Sequence, residues 1–251
     1  MCTILLAYQV DKKWPVILGN NRDEFYHRLA VPPRVFTTNN RRRWLAPIDL
    51  VSGGSWWACN NDGLLICLTN RWVGLANEAG KVSRGQLVYE LVQCREPAAV
   101  RKKLDTIDIS AYGPFNLLVV SAVEGFLFTN YPEADEVPLI SGFYFIGNGT
   151  LLNDRSLKEK MAKRVFTELK NKLADAREIT TLFYRLLRLP LPQEFLPPQG
   201  FNVLLDDYGT TSSTLLTISA QPTVTLGLSF AAGNPLRAPL VDYSGLSRFL
   251  F

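Results

Sequence analysis

A chain of 251 residues has a single histidine, His27, and that scarcity bounds its chemistry. A Ser-His-Asp or Cys-His pair would have to use His27, which sits in the charged stretch Arg22-Asp23-Glu24-Phe25-Tyr26-His27-Arg28. A lone histidine usually has a structural or solvated role, so the base of any hydrolytic reaction is expected to be another group. The same scarcity argues against a histidine-rich metal site. The four cysteines, Cys2, Cys59, Cys67 and Cys94, lack the paired short spacing of zinc sites. No metal or cofactor is expected. No apolar run approaches the roughly 18 residues that span a bilayer, and the basic n-region and small-residue cleavage site of a secretory signal are missing. The expectation is a cytoplasmic protein with no integral membrane segment. The net charge of +4 is mild, and Arg41-Arg42-Arg43 is its only concentrated basic run. With no recognisable nucleic-acid module around it, that run reads as a solvated loop, and no nucleic-acid partner is expected.

What the chain does have is apolar material: 47% hydrophobic residues against 20% charged, enough for a substantial core. The length allows one large domain, read here as residues 1–251. Thr3 to Val10 and Pro15 to Gly19 predict a hairpin around Asp11-Lys12-Lys13. Trp56 to Cys59 and Leu64 to Leu68 predict a second hairpin around Asn60-Asn61-Asp62-Gly63, since Asp-Gly is a strong tight-turn dipeptide. Both of its strands are almost continuously apolar, which predicts a sheet covered on both faces.

Helices are predicted after Ser83, with Leu87, Val88, Leu91 and Val92 at helical spacing, and from Pro97 through Leu104. Strands return at Phe115 to Val120, Phe126 to Thr129 and Phe143 to Ile146. Ser156 to Ala174 reads as a basic amphipathic helix with a solvated side, and Thr180 to Leu187 as another helix. Prolines 190, 192, 197 and 198 mark a rigid loop. A closing hairpin, Thr214 to Ser219 with Thr223 to Phe230 around Gln221-Pro222, precedes a tail expected on the surface. Paired strands joined by hairpins are antiparallel, and this order favours an α+β fold of two packed sheets with helices outside.

The opening Met1-Cys2-Thr3-Ile4 carries the strongest chemical signal. Removal of Met1 would leave a thiol and a free α-amine on one residue. With ordinary pKa values of about 7.7–8.0 for the amine and about 8.5 for the thiol, the amine can take the thiol's proton, an established form of nucleophile activation. The alternative is that Cys2 is a small buried hydrophobe at a strand start. Asparagines and charged residues fall at predicted strand ends: Gly19-Asn20-Asn21-Arg22-Asp23-Glu24, Thr69-Asn70-Arg71 and Gly147-Asn148-Gly149. Asparagine amides can donate to a developing oxyanion, and an aspartate beside the amine would stabilise its protonated form. Equally, Asn and Gly end strands for turn reasons alone.

Taken together these blocks resemble the NRDE family, also called the transport and Golgi organisation 2 family, whose four letters are Asn21-Arg22-Asp23-Glu24 here. Gly53-Gly54-Ser55-Trp56-Trp57, Asn61-Asp62-Gly63, Leu68-Thr69-Asn70-Arg71, Ser83-Arg84-Gly85, Gly147-Asn148-Gly149 and Tyr208-Gly209-Thr210 extend the resemblance over most of the chain. That family is similar to the choloylglycine hydrolases and penicillin V acylases, which are N-terminal-nucleophile hydrolases with an αββα sandwich. The resemblance implies Cys2 as nucleophile, Asp23 as the residue contacting its amine and thiol, Asn70 as oxyanion donor and Asn148 as the second active-site asparagine. Arg22 joins this catalytic set, with Asn20, Arg71 and Trp56 as substrate-contact candidates. Two positions depart from the pattern. The arginine of the hydrolase Gly-Arg-Asn-x-Asp motif is Asn20, and the arginine that commonly follows Tyr-Gly-Thr is Thr211.

Two functions follow as expectations. One is hydrolysis of a linear, non-peptide amide or related acyl bond in a small molecule through an acyl-enzyme. The other is non-catalytic binding or trafficking of haem or lipid on the same fold, which the family's link to haem mobilisation and lipid homeostasis implies.

Overall fold

The computed structural model describes residues 2–38, 42–73, 82–151, 156–190, 200–219 and 224–251. Its two antiparallel sheets pack face to face. One runs in the order β10-β1-β2-β11-β12-β13 and the other β3-β4-β5-β6-β7-β8-β9. In chain order the strands are β1 (Cys2–Tyr8), β2 (Val16–Phe25), β3 (Ala30–Thr37), β4 (Arg43–Asp49), β5 (Trp57–Asn60), β6 (Leu65–Asn70), β7 (Phe115–Val120), β8 (Gly125–Thr129), β9 (Asp135–Pro138), β10 (Gly142–Ile146), β11 (Tyr208–Ile218), β12 (Leu226–Ala231) and β13 (Val241–Asp242). The helices are α1 (Arg84–Leu91), α2 (Pro97–Leu104), α3 (Leu157–Asn171), α4 (Ala176–Leu187) and the short α5 (Ser247–Leu250).

Three apolar clusters follow from strand alternation. Ile4, Leu6, Leu18, Cys67, Leu118 and Leu216 meet between the sheets. Ala58, Ile66, Leu117 and Val119 face α1 and α2, while Leu5, Ile17 and Leu215 face α3 and α4. Each central strand thus contributes apolar side chains to two interfaces, which explains the near-continuous apolar runs. The result is a four-layer αββα sandwich, as expected from the order of elements.

The structure departs from the expectations in several places. β3 contains Pro32 and Pro33, whose missing N–H groups obscure a strand in sequence, and it is tolerated because β3 lies at a sheet edge. β9 is the opposite edge, and its charges mask it in the same way. Of the basic run read as a solvated loop, Arg43 begins β4 and Arg42 pairs with Asp62, while Arg41 lies outside the described residues. α4 starts earlier than expected, behind a capping box between Asp175 and Glu178. The tail is not wholly superficial: Leu250 is fully buried in the inter-sheet core. Most of the proline-rich loop and the Gln221-Pro222 turn lie outside the described residues.

The departure that matters most concerns β2. The motif expected to close this strand lies inside it, since the strand runs on to Phe25. β11 likewise begins at Tyr208, six residues before the expected start, and pairs with β2 along this extension. Alternation then divides the motif. Asn20 and Arg22 share the inter-sheet face with Leu18, whereas Asn21 and Asp23 share the α-facing side with Ile17.

Candidate active site

Cys2 stands directly opposite Arg22 in the β1–β2 ladder, on the inter-sheet face. A cavity of about 360 Å³ opens there, and Cys2, Arg22, Asp23, Trp56 and Asn70 all line it. Five residues singled out from sequence are therefore gathered at one place. Glu24, Arg28, Asp49, Ser52, Ser55, Ser83 and Arg84 complete its polar wall.

Arg22 is held on every side. Its Nη2 donates to Asp49 Oδ2 at 2.6 Å, its Nη1 to Thr211 Oγ1 at 2.9 Å, and its plane lies 5.0 Å over the Trp56 ring. Thr211 reaches it because β11 bulges between Thr210 and Ser212, which re-aims the extra residue. Arg28 Nε joins the same Asp49 oxygen at 2.8 Å, and its Nη1 lies 3.4 Å from Glu24. Burial opposes the Asp49 charge, but the Ser52 N–H and the two guanidiniums outweigh it and hold the carboxyl below its ordinary pKa.

Asp23 is enclosed from the other side. Thr210 Oγ1 donates to its carboxylate at 2.6 Å, and the Tyr208 hydroxyl donates to its backbone carbonyl at 2.9 Å. Lys158, projecting from the first turn of α3, places Nζ 3.6 Å from Asp23 Oδ2 and donates to Thr3 Oγ1 at 3.1 Å. The Tyr208-Gly209-Thr210 motif thus wraps Asp23, and position 209 favours glycine because a Cβ there would lie 2.5 Å from the Val203 backbone carbonyl. Asn21 plays a different part. Its amide donates at 2.8 Å to the carbonyls of both Leu187 and Phe201, satisfying the end of α4.

Asn70 ends β6 at the cavity. Its side-chain amide makes no hydrogen bond among the described residues, and its backbone carbonyl accepts from Asn148 Nδ2. The Gly147-Asn148-Gly149 turn is tied across the sheets by Thr69 Oγ1 on Gly147 and Asn116 Nδ2 on Gly149, at 2.7 and 2.9 Å. Asn148 therefore sits beside Asn70 without lining the cavity. Asn20 is buried under it, donating to Thr3 and Asn21 carbonyls at 3.0 and 3.3 Å. Arg71 points elsewhere, with Nη1 on Thr129 Oγ1 at 2.9 Å and its plane 5.5 Å from the Tyr131 ring. His27 is exposed, stacked on Phe25, and not part of the cavity wall.

The Cys2 thiol feels opposing influences. Burial, and after it Asp23 and Glu24, push its pKa up, while the chain's α-ammonium and then Arg22 pull it down, and the balance is a raised value. A thiol in this setting needs a base to become a nucleophile at neutral pH.

Sequence reasoning missed Asp49 and Lys158, which lie far in sequence from the residues they serve, and Arg28, whose Asp49 partner is 21 positions away; none carries a motif of its own. Arg84 stood in a quoted motif without a role. Its neighbour supplies one: Gly85 packs backbone to backbone on Gly54, where a Cβ would fall 2.4 Å from the Gly85 carbonyl carbon. That contact docks the start of α1 at the cavity rim.

The sequence model of the family described as Transport and Golgi organisation 2 matches residues 1–227. The chain belongs to this family. A curated relative, the Bos taurus Transport and Golgi organization protein 2 homolog, is 28% identical, with 90% of this chain and 91% of that protein covered. Among solved structures, a variant of the Clostridium perfringens conjugated bile acid hydrolase matches with a TM-score of 0.60 at 9% identity, covering 97% of this chain and 93% of that one. The Caenorhabditis elegans N-acylethanolamine-hydrolyzing acid amidase ortholog matches with a TM-score of 0.52 at 12% identity, covering 86% and 92%. At such identities the likeness is one of fold. This family member has the sandwich of N-terminal-nucleophile hydrolases. No described helix is long and apolar enough to cross a membrane, and no described cluster of three or more His, Cys, Asp or Glu could hold a metal.

Proposed function

We propose that this chain is an N-terminal cysteine hydrolase, one domain over residues 1–251, that cleaves a small non-peptide amide or related acyl bond. The observation that carries the reading is the shared cavity of Cys2, Asp23 and Asn70, with the Asn70 amide uncommitted among the described residues. Its volume falls at the lower end of the range for small-molecule pockets.

In this mechanism Met1 is removed and the freed α-amine of Cys2 takes the thiol proton. Asp23, kept in place by Thr210 and Lys158, favours the resulting ammonium. The thiolate attacks the carbonyl carbon, and the oxyanion accepts from the Asn70 amide and a backbone N–H. Asn148 serves by fixing Asn70 through its backbone carbonyl. Collapse breaks the C–N bond, the ammonium gives its proton to the leaving amine, and a thioester remains on Cys2. The amine then deprotonates a water that hydrolyses the thioester, releasing the acid and restoring the thiol. Arg22 shapes the floor; its hydrogen bonds to Asp49 and Thr211 make it a rigid wall more than a mobile binder.

Acid-quenched incubation with a panel of N-acyl amides and acyl thioesters, followed by intact mass and peptide mapping, tests this. An acyl adduct on Cys2, absent from Cys2→Ala, is expected. Saturable binding of lipid or haem without any adduct or turnover would instead favour a carrier.

A further inference from the structure

Resting on that reading of Cys2, we infer that the cavity selects substrates bearing an anionic group, a carboxylate or phosphate, and that Arg84 anchors it. Six charged side chains line the cavity, Arg22, Arg28, Arg84, Asp23, Glu24 and Asp49. Their pairing leaves one over. Asp49 takes both Arg22 and Arg28, Glu24 takes Arg28, and Asp23 takes Lys158 from outside the cavity wall. Arg84 has no carboxylate partner among the described residues.

Its only hydrogen bond there runs from Nη1 to the Pro114 carbonyl at 2.9 Å, which leaves Nε and Nη2 without a protein acceptor among the described residues. Burial and the neighbouring Arg28 work against this guanidinium, partly countered by Cys2 and Glu24. An arginine stays charged in proteins, so a partly desolvated one that forms no ion pair among the described residues is a standing cost that an incoming anion would relieve.

Two further features support the assignment. Ser83, Arg84 and Gly85 form the start of α1 on the cavity wall, and the Ser83 hydroxyl makes no capping bond, so the helix end there favours negative charge. The wall also contains a buried donor without an acceptor among the described residues, the indole N–H of Trp56, and such groups call for a water or ligand. Carboxylates and phosphates are the natural partners of a guanidinium fork.

The test compares alkylation of Cys2 by iodoacetate and iodoacetamide, in which the thiolate displaces iodide from an anionic or a neutral reagent of similar size. The ratio of the two rates cancels any change in thiolate fraction. Wild-type Cys2 is expected to show a higher iodoacetate-to-iodoacetamide ratio than N-acetylcysteine, and Arg84→Gln a ratio at least fivefold below wild type, with Arg84→Lys retaining most of it. Protection of wild-type Cys2 by inorganic phosphate points to a phosphate, and by acetate alone to a carboxylate. A wild-type ratio no higher than that of N-acetylcysteine overturns the inference, as does an unchanged ratio in Arg84→Gln. If Arg84→Gln unfolds and exposes Cys59 and Cys67, the wild-type comparison decides alone. Failure to hydrolyse any amide would leave this ratio intact, so the two readings fail separately.

Discussion

Arg22 on β2 and Asp49 at the end of β4 join the two sheets through a buried ion pair, Nη2 to Oδ2 at 2.6 Å. The pair forms part of the cavity wall and fixes the residue that faces Cys2 across the ladder. Its value lies in placement, because a buried pair gains little over apolar packing but is costly to break.

Asp49→Ala should therefore destabilise the chain by about 3 kcal/mol, since Arg22 would be left buried without its carboxylate. Urea unfolding would measure it, and Asp49→Asn should lose less by keeping an acceptor for the Val51 and Ser52 N–H groups. The sign of the pH effect follows from the lowered carboxyl pKa. The stabilisation is complete above the ordinary carboxylate range and is lost as pH falls through the lower folded value. Asp49→Asn should be flat in that acid window.

Gly54→Ala and Gly85→Ala should each cost about 2 kcal/mol or more, because the added Cβ would meet backbone at 2.4 and 2.9 Å, where no rotamer change can help. Thermal unfolding checks the stability. Alkylation of Cys2 in these variants should also lose its preference for iodoacetate, as α1 moves away from the rim.

Lys158→Met removes the cation 3.6 Å from the buried Asp23 carboxylate and should destabilise by about 3 kcal/mol. Lys158→Arg should recover part of the loss. Equal stability of wild type and Lys158→Met would show that Asp23 does not depend on this charge.

How much of this was visible in the chain differs by layer. The sandwich was legible because Leu64 to Leu68 and Phe115 to Val120 are apolar without interruption, which strands covered on both faces require. β3 was not legible, since Pro32 and Pro33 mimic a loop until the edge position is known. At the cavity, Cys2, Arg22, Asp23, Trp56 and Asn70 could be named from motifs, yet the division of Arg22 and Asp23 between the two faces of β2 depended on that strand extending to Phe25. Asp49, Arg28 and Lys158 were hidden for a different reason. Asp49 and Arg22 are 27 positions apart, Arg28 and Asp49 21, and Lys158 and Asp23 135, and pairing at such separation leaves no local pattern. Arg71 shows the converse: adjacent to Asn70 in sequence but one residue past the end of β6, it is bound to Thr129 and does not line the cavity.

The pH profile of Cys2 alkylation by iodoacetamide, in chains that begin at Cys2 and chains that keep Met1, tests the central claim most directly. With Met1 in place, burial and the neighbouring carboxylates outweigh the pull of the α-ammonium and Arg22 and hold the thiol pKa up, so the midpoint should lie above the ordinary value of about 8.5. With the α-amine free, the midpoint should fall by at least one unit, toward the amine's range of about 7.7–8.0, with a rate at pH 7.5 roughly tenfold higher. Superimposable profiles would contradict the account, because the amine would then have no part in activating the thiol.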